Sequence, residues 1–258
     1  MLPLYAVFGS PIGHSLSPRI HNAAFAEAGI LAHYLPVEVR RGDLVASLDA
    51  FRHLGGVGVN LTRPLKETIF PFLDDLSDLA EAARAANTIV WRDHGWVGDN
   101  TDVRALIAKL EPLVGGHAKR RALIIGSGGV ARGSMVSLKH LGMEVWIASR
   151  QPVDWGDQWI SLQEMPACAD WEVVVNATPL GQHGEAHWTY WPSLSSGKTA
   201  VVDWVYHPRA TPLLQLASSL DCPIVDGLEL LIEQARWSWN LWFGQLAPGD
   251  AMTRAVDR

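Results

Sequence analysis

Two short polar stretches place a lysine and an aspartate in a chain that is 48% hydrophobic. NLTRPLK (60–66) ends in Lys66, and GDNTD (98–102) ends in Asp102. Each is too polar for a core strand and too short for a helix, so the two residues form either a surface ion pair or an acid–base centre. In the second case the pair would give and take a proton during a reaction. SLS adds two hydroxyls, Ser15 and Ser17, ahead of a helix start, a geometry suited to a ligand carboxylate. Ser17 also fits the N-cap of that helix. Asn60, Asn87 and Asn100 offer both donors and acceptors, as recognition of a polyhydroxyl compound requires. Lys66 follows Pro64 at the start of a predicted helix over about 65–86. A cation there opposes the helix dipole, so a ligand or an acid explains it better than helix stability does. His14 is read as a local hydrogen-bonding residue.

A second kind of chemistry is written in LIIGSGGVARG (123–133), where an apolar strand runs into a helix through Gly126, Gly128 and Gly129. Such glycines permit a tight turn and let backbone N–H groups approach a pyrophosphate at the helix N-terminus. The next strand ends at Ser149 and Arg150, where an NAD-specific site carries an acid for the ribose 2′-hydroxyl. A hydroxyl and a guanidinium suit a 2′-phosphate instead, which favours NADP over NAD. Asp154 would repel that phosphate if it faced inward.

The elements that must position these residues alternate along the chain. Strands are predicted at 5–9, 33–39, 56–61, 121–126, 144–150, 171–178, 199–206 and 223–227, with a hairpin over 88–100 turning at Asp93, His94 and Gly95. Helices are predicted at 18–30, 42–54, 128–142, 211–219 and 228–245. This alternation means βαβ units and mostly parallel sheets, the α/β class. The polar stretches 9–18, 60–66, 85–88 and 98–102 fall at strand ends, where open α/β sheets bind ligands. One domain is expected over 1–102 and a second over 103–227, with the chain from 228 to 258 packing back on the first. The four aromatics of the last helix are read as packing rather than as a ligand cage.

Composition narrows the function further. The formal net charge is -6 over 258 residues and the longest basic run is KRR, which argues against a nucleic-acid surface. Cys168 and Cys222 have no CxxC spacing, so neither a disulfide framework nor a metal site is expected. The N-terminal residues lack the features of a signal peptide, and no stretch approaches the roughly 20 apolar residues that span a bilayer. A cytoplasmic protein with a small-molecule substrate is expected, as a monomer or a homodimer.

SLSP, NLTRPLKE, AANT, GDNTD, GSGGVARG, NATPLG, DWVYHPRATPLL and DGLELLIEQA occur in the order and spacing of the shikimate dehydrogenase family, which the chain resembles over nearly its whole length. The resemblance implies an N-terminal substrate domain, a Rossmann-type NADP domain and a cleft between them. It implies reversible NADP-linked reduction of 3-dehydroshikimate to shikimate, on the route to chorismate and the aromatic amino acids. By position, Ser15 and Ser17 would bind the ring carboxylate, helped by the Tyr206 hydroxyl. Thr62, Lys66, Asn87, Asp102 and Gln234 would surround the ring hydroxyls and the C3 oxygen. Gly126, Ser127, Gly128, Gly129 and Val130 would hold the pyrophosphate, and Ser149 and Arg150 the adenosine phosphate. Asp78, Trp204 and Gly227 match positions near the cofactor. The chain departs from the family at Ser149, Gln151 and Asp154, and again at Glu229 and Leu230, which are expected to face the nicotinamide. A paralogue that takes quinate or an amino-substituted shikimate, or uses NAD, is the alternative enzyme. A ligand-binding regulatory module without turnover is the alternative of another class.

Overall fold

The polar stretches 9–18, 60–66, 85–88 and 98–102 lie at strand ends of the first of two six-stranded sheets. In the computed structural model, which describes residues 2–93, 95–114, 120–165, 170–182 and 189–257, the chain divides into two units. Met1–Thr101 joins Ile232–Arg258 in the first, and Asp102–Leu231 forms the second. His94 and Cys168 lie outside the described residues.

The first unit begins β1 (Leu4–Gly9), α1 (Ser17–Glu27), β2 (His33–Glu38), α2 (Leu44–His53) and β3 (Gly56–Leu61). It continues with β4 (Asp75–Leu76), α3 (Asp78–Ala83), β5 (Thr88–Arg92) and β6 (Gly95–Asp99). The sheet order is β2-β1-β3-β5-β6-β4. β1 pairs in parallel with β2 and β3, whereas β3–β5 and β5–β6 are antiparallel. Alternation along the strands gives the sheet two apolar faces. Ala6, Phe8, Val59, Leu61 and Ile89 pack with Leu44, Leu48 and Phe51 of α2 on one. Tyr5 meets Phe25 of α1 at 5.3 Å on the other.

From Thr101 the chain runs through α4 (Thr101–Leu110), β7 (Arg121–Ile125), α5 (Gly129–His140), β8 (Glu144–Ser149), β9 (Gln158–Ser161) and β10 (Val173–Asn176). β11 (Ala200–Asp203), α6 (Pro212–Ser219) and β12 (Ile224–Val225) complete the second sheet. Its order, β12-β11-β10-β7-β8-β9, is parallel throughout and is that of a dinucleotide-binding fold. The strands are near-continuous apolar runs because both faces are covered: one core gathers Ile124, Val145 and Val175, the other Leu123, Val174 and Val201.

The last helices are α7 (Gly227–Phe243) and α8 (Gly249–Arg254). The aromatics of α7 do pack: Trp239 is fully buried, and Tyr5 meets Trp242 at 4.8 Å and Phe243 at 5.5 Å. Cys222 is buried with its Sγ 3.5 Å from the Ser195 carbonyl.

The helix expected over 65–86 is not there. Only Asp78–Ala83 is α-helical, preceded by turns, a short 3-10 segment at Phe70–Phe72 and β4. Pro71 cannot donate to a continuing helix. Asp74 is drawn to the sheet, its carboxylate accepting the Trp96 N–H at 2.8 Å. Ser77 then starts a new helix by accepting the Ala80 N–H. Lys66 therefore stands in a turn, and the argument from an opposed helix dipole does not apply to it.

Candidate active site

The strand ends of the first unit come together through their backbones. Thr62 N–H donates to the Phe8 carbonyl, Ser10 N–H to Arg63, Leu61 N–H to Asn87 and Ala86 N–H to Lys66. The loops that follow β1 and β3 and the one that precedes β5 are thus neighbours. Thr62 and Lys66 are half-buried there, while Asn87 and Asp102 are buried. Asp102 lies in the first turn of α4.

Beneath these loops runs a buried network of neutral groups. The Ser17 side chain stands against the Tyr34 phenol, and burial pushes that phenol well above its usual pKa. Tyr34 donates to Asn60 Oδ1 at 2.7 Å. Asn60 Nδ2 donates to the hydroxyls of Thr88 and Ser238, both at 2.9 Å. The Thr88 and Ser238 hydroxyls are 2.9 Å apart, and each lies within 3.2 Å of the Thr101 hydroxyl. Asn87 Oδ1 accepts the Thr101 N–H at 2.7 Å, and Thr101 Oγ1 donates to Gln234 Oε1 at 3.5 Å. Ser17, Asn87 and Gln234 are thereby connected through residues from β2, β3, β5, α4 and α7.

Several sequence expectations change in detail. Ser17 is the first residue of α1 rather than its cap; Leu16 occupies the cap position, and Ser15 Oγ accepts the Ser17 N–H at 3.3 Å. Asn60 and Asn100 serve the fold, Asn100 donating to the Ala85 carbonyl at 2.9 Å. His14 is exposed. Asp78 is exposed in the first turn of α3. Tyr34, Thr88, Thr101 and Ser238 were not singled out from the sequence. The signal for Ser238 was its place four residues after Gln234, one turn along the same helix face.

In the second unit the glycine loop stands where the strand order reverses, between β7 and β10. Gly126 has φ +120°, and a Cβ there would lie 2.9 Å from the Ala177 carbonyl oxygen, so only glycine fits. Around Gly128 a Cβ would meet nothing within 4 Å, and Ser127 and Gly128 are exposed at the start of α5. Open space before uncapped helix N–H groups suits a pyrophosphate, so the residues present fit a dinucleotide.

At the end of β8 the Ser149 hydroxyl is used within the loop, donating to the Gln151 carbonyl at 2.6 Å and accepting the Trp159 indole N–H at 3.0 Å. Arg150 and Asp154 are exposed. The half-buried Trp204 indole donates to Ser134 Oγ of α5 at 3.1 Å. Gly227 is required for close packing, because a Cβ would lie 2.4 Å from the Val205 carbonyl oxygen. Tyr206 is half-buried, which raises its phenol pKa. Glu229 is 3.7 Å from Lys109 Nζ of α4 and keeps a partly exposed side chain, and Leu230 is fully buried in the core. The helical period forces this, since Leu230 occupies the inward face of α7.

Among the described residues no cluster of three His, Cys, Asp or Glu could hold a metal ion, and no helix is long and apolar enough to cross a membrane. A groove of about 490 Å³ between α1 and α8, lined by Arg19, Glu27 and Arg254, contains none of the residues discussed above.

Residues 7–89 match the model of the shikimate dehydrogenase substrate binding domain, and residues 227–256 that of the shikimate 5′-dehydrogenase C-terminal domain. The NADP-dependent shikimate dehydrogenase of Thermosynechococcus vestitus is 36% identical over 98% of this chain and 94% of its own. The shikimate 5-dehydrogenase of Thermus thermophilus, solved with NADP(H) and shikimate, superposes with a TM-score of 0.84 at 31% identity, covering 99% of this chain and 98% of that one. That of Listeria monocytogenes, solved with shikimate and NAD, gives 0.86 at 28% identity, over 99% and 96%. With a relative so similar along almost its entire length, the chain belongs to the shikimate dehydrogenase family.

Proposed function

We propose that this chain catalyses the reversible, NADP-linked interconversion of 3-dehydroshikimate and shikimate. The observation that carries the reading is the buried network linking Ser17, Asn87 and Gln234, since it fixes hydroxyl and amide groups from separate elements beside Lys66 and Thr62. A ring bearing a carboxylate and several hydroxyls is the ligand such a set recognises.

In this reading Ser15, Ser17 and Tyr206 bind the carboxylate, and Thr62, Asn87 and Gln234 orient the hydroxyls. The nicotinamide cofactor, when bound, supplies or accepts the hydride. Lys66 gives a proton to the C3 oxygen during reduction and withdraws it during oxidation, and Asp102 is the carboxylate that polarises it. The glycine loop from Gly126 to Val130 holds the pyrophosphate. Arg150 carries the 2′-phosphate preference, because the Ser149 hydroxyl already donates to Gln151. Asp78, Trp204 and Gly227 border the cofactor.

That engaged Ser149 hydroxyl and the acid at Asp154 favour a second reading, in which NAD is also used. Steady-state assays with shikimate and quinate, each crossed with NADP and NAD, test both. The highest kcat/KM is expected for shikimate with NADP. A higher value with quinate would replace the substrate assignment, and parity between NAD and NADP would replace the cofactor assignment.

A further inference from the structure

NATPLG (176–181) and DWVYHPRATPLL (203–214) carry polar residues to which the proposed mechanism gives no part. The fold joins the two stretches through one carboxylate. Asp203, the last residue of β11, is fully buried. Its Oδ1 accepts the Asn176 amide N–H and the Val205 N–H, both at 2.9 Å. Its Oδ2 accepts the Thr211 hydroxyl at 2.7 Å, and Thr211 caps α6. Asn176 is itself fixed, its Oδ1 accepting both the N–H and the hydroxyl of Thr178.

The segment 204–210 is therefore pinned at both ends, at Val205 and at Thr211. Between the pins His207, Arg209 and Ala210 are exposed, and Arg209 reaches Asp226 at 2.6 Å. Burying a carboxylate without a cation costs stability, and burial raises its pKa to about 6. An aspartate kept at such a cost is explained by what its two oxygens hold. They satisfy three donors at once, whereas an asparagine would turn one end into a donor.

We propose that Asp203 is a positioning residue whose carboxylate clamps both ends of segment 204–210 and so sets where Trp204 and Tyr206 stand. The proposal rests on the reading in which Tyr206 binds the substrate carboxylate.

Asp203→Asn and Thr211→Val test it, with Thr211→Ser as the conservative control. KM for shikimate and kcat are measured with NADP, together with the rate of tryptic cleavage after Arg209 in the folded protein. Loss of one clamp bond raises KM about fivefold with kcat nearly unchanged. It also speeds cleavage after Arg209, and Thr211→Ser behaves as the parent. In a Tyr206→Phe background the KM effect of Asp203→Asn vanishes, because the hydroxyl being positioned is gone. Unchanged KM and cleavage in both variants, or a KM effect undiminished by Tyr206→Phe, overturns the proposal. Should Asp203→Asn fail to fold, Thr211→Val carries the same comparison. A parent protein without turnover of shikimate would overturn the proposed function instead, and the cleavage rates would still decide the clamp.

Discussion

The strand ends of the first unit meet through backbone hydrogen bonds and are braced beneath by a network of side chains, whereas those of the second are set by two glycines and one buried carboxylate. In the first unit hydroxyls and amides from five elements meet in one neutral network, so the orientation of Asn87 depends on Thr88, Thr101 and, through them, Ser238. In the second unit Gly126 and Gly227 do the equivalent work by lacking a side chain, and one buried carboxylate, Asp203, ties the strand ends together. The difference follows from what each unit has to recognise. A polyhydroxyl ring demands donors and acceptors in fixed directions, and a pyrophosphate demands backbone N–H groups in open space. Single substitutions should therefore separate the two ligands.

The largest separation is expected from Lys66→Ala. Losing the proton donor lowers kcat by roughly 10³-fold, while the Kd for NADPH, measured by fluorescence, stays within about twofold of the parent. Near-normal turnover would remove Lys66 from the chemistry. Arg150→Ala should do the reverse. It weakens NADPH by about 30-fold and NADH hardly at all, with the KM for shikimate unchanged, because only the 2′-phosphate loses its cation. Equal losses for both cofactors would show that Arg150 does not read that phosphate.

The separability was only partly legible in the sequence. The second unit could be read because its chemistry is written in glycines between an apolar strand and a helix, and β7, α5 and β8 fall where periodicity puts them. α4 went unread although Val103, Leu106, Ile107 and Leu110 repeat at helical spacing, because GDNTD ahead of it reads as a loop. The helix expected over 65–86 fails because Pro71 cannot continue it and because the contact of Asp74 with Trp96 is invisible to any local pattern. Asn87 and Gln234 were named from motifs, and the buried network reaches both. Tyr34 and Ser238 were missed because a core hydroxyl matters only through partners distant in sequence, as Ser238 and Asn60 are. Such contacts belong to tertiary packing, which one sequence does not display.

A smaller effect is expected from Thr88→Val. The variant keeps the shape of the side chain and deprives Asn60 Nδ2 and Ser238 of a shared hydroxyl. Losing one buried hydrogen bond should raise the KM for shikimate about fivefold and lower stability by about 1–3 kcal/mol. NADPH affinity should not move, and Thr88→Ser should restore the parent values. A matching loss in NADPH affinity would mean that the network supports both ligands.

The smallest expected effect is on stability against pH, where the two units should respond with opposite sign. His21 is fully buried against Tyr34, their rings stacked 4.5 Å apart, and neither ring nitrogen has a hydrogen-bond partner. Burial lowers its pKa to about 3. Below the ordinary value near 6.5 the unfolded chain takes up a proton that the fold refuses, so stability falls as pH drops through 6.5. The loss is about 0.7 kcal/mol between pH 7 and pH 6 and grows on further acidification. Asp203, raised to about 6, works the other way: the fold bears the cost of the buried charge above that pH, and the cost is relieved as pH falls towards 3.8. Urea denaturation of His21→Phe at pH 7 and pH 6 should show the acid loss removed, whereas Asp203→Asn should leave it in place and remove the relief. An acid loss of the same size in His21→Phe and in the parent would mean that another group, and not this ring beneath the neutral network, sets the acid limit of the first unit.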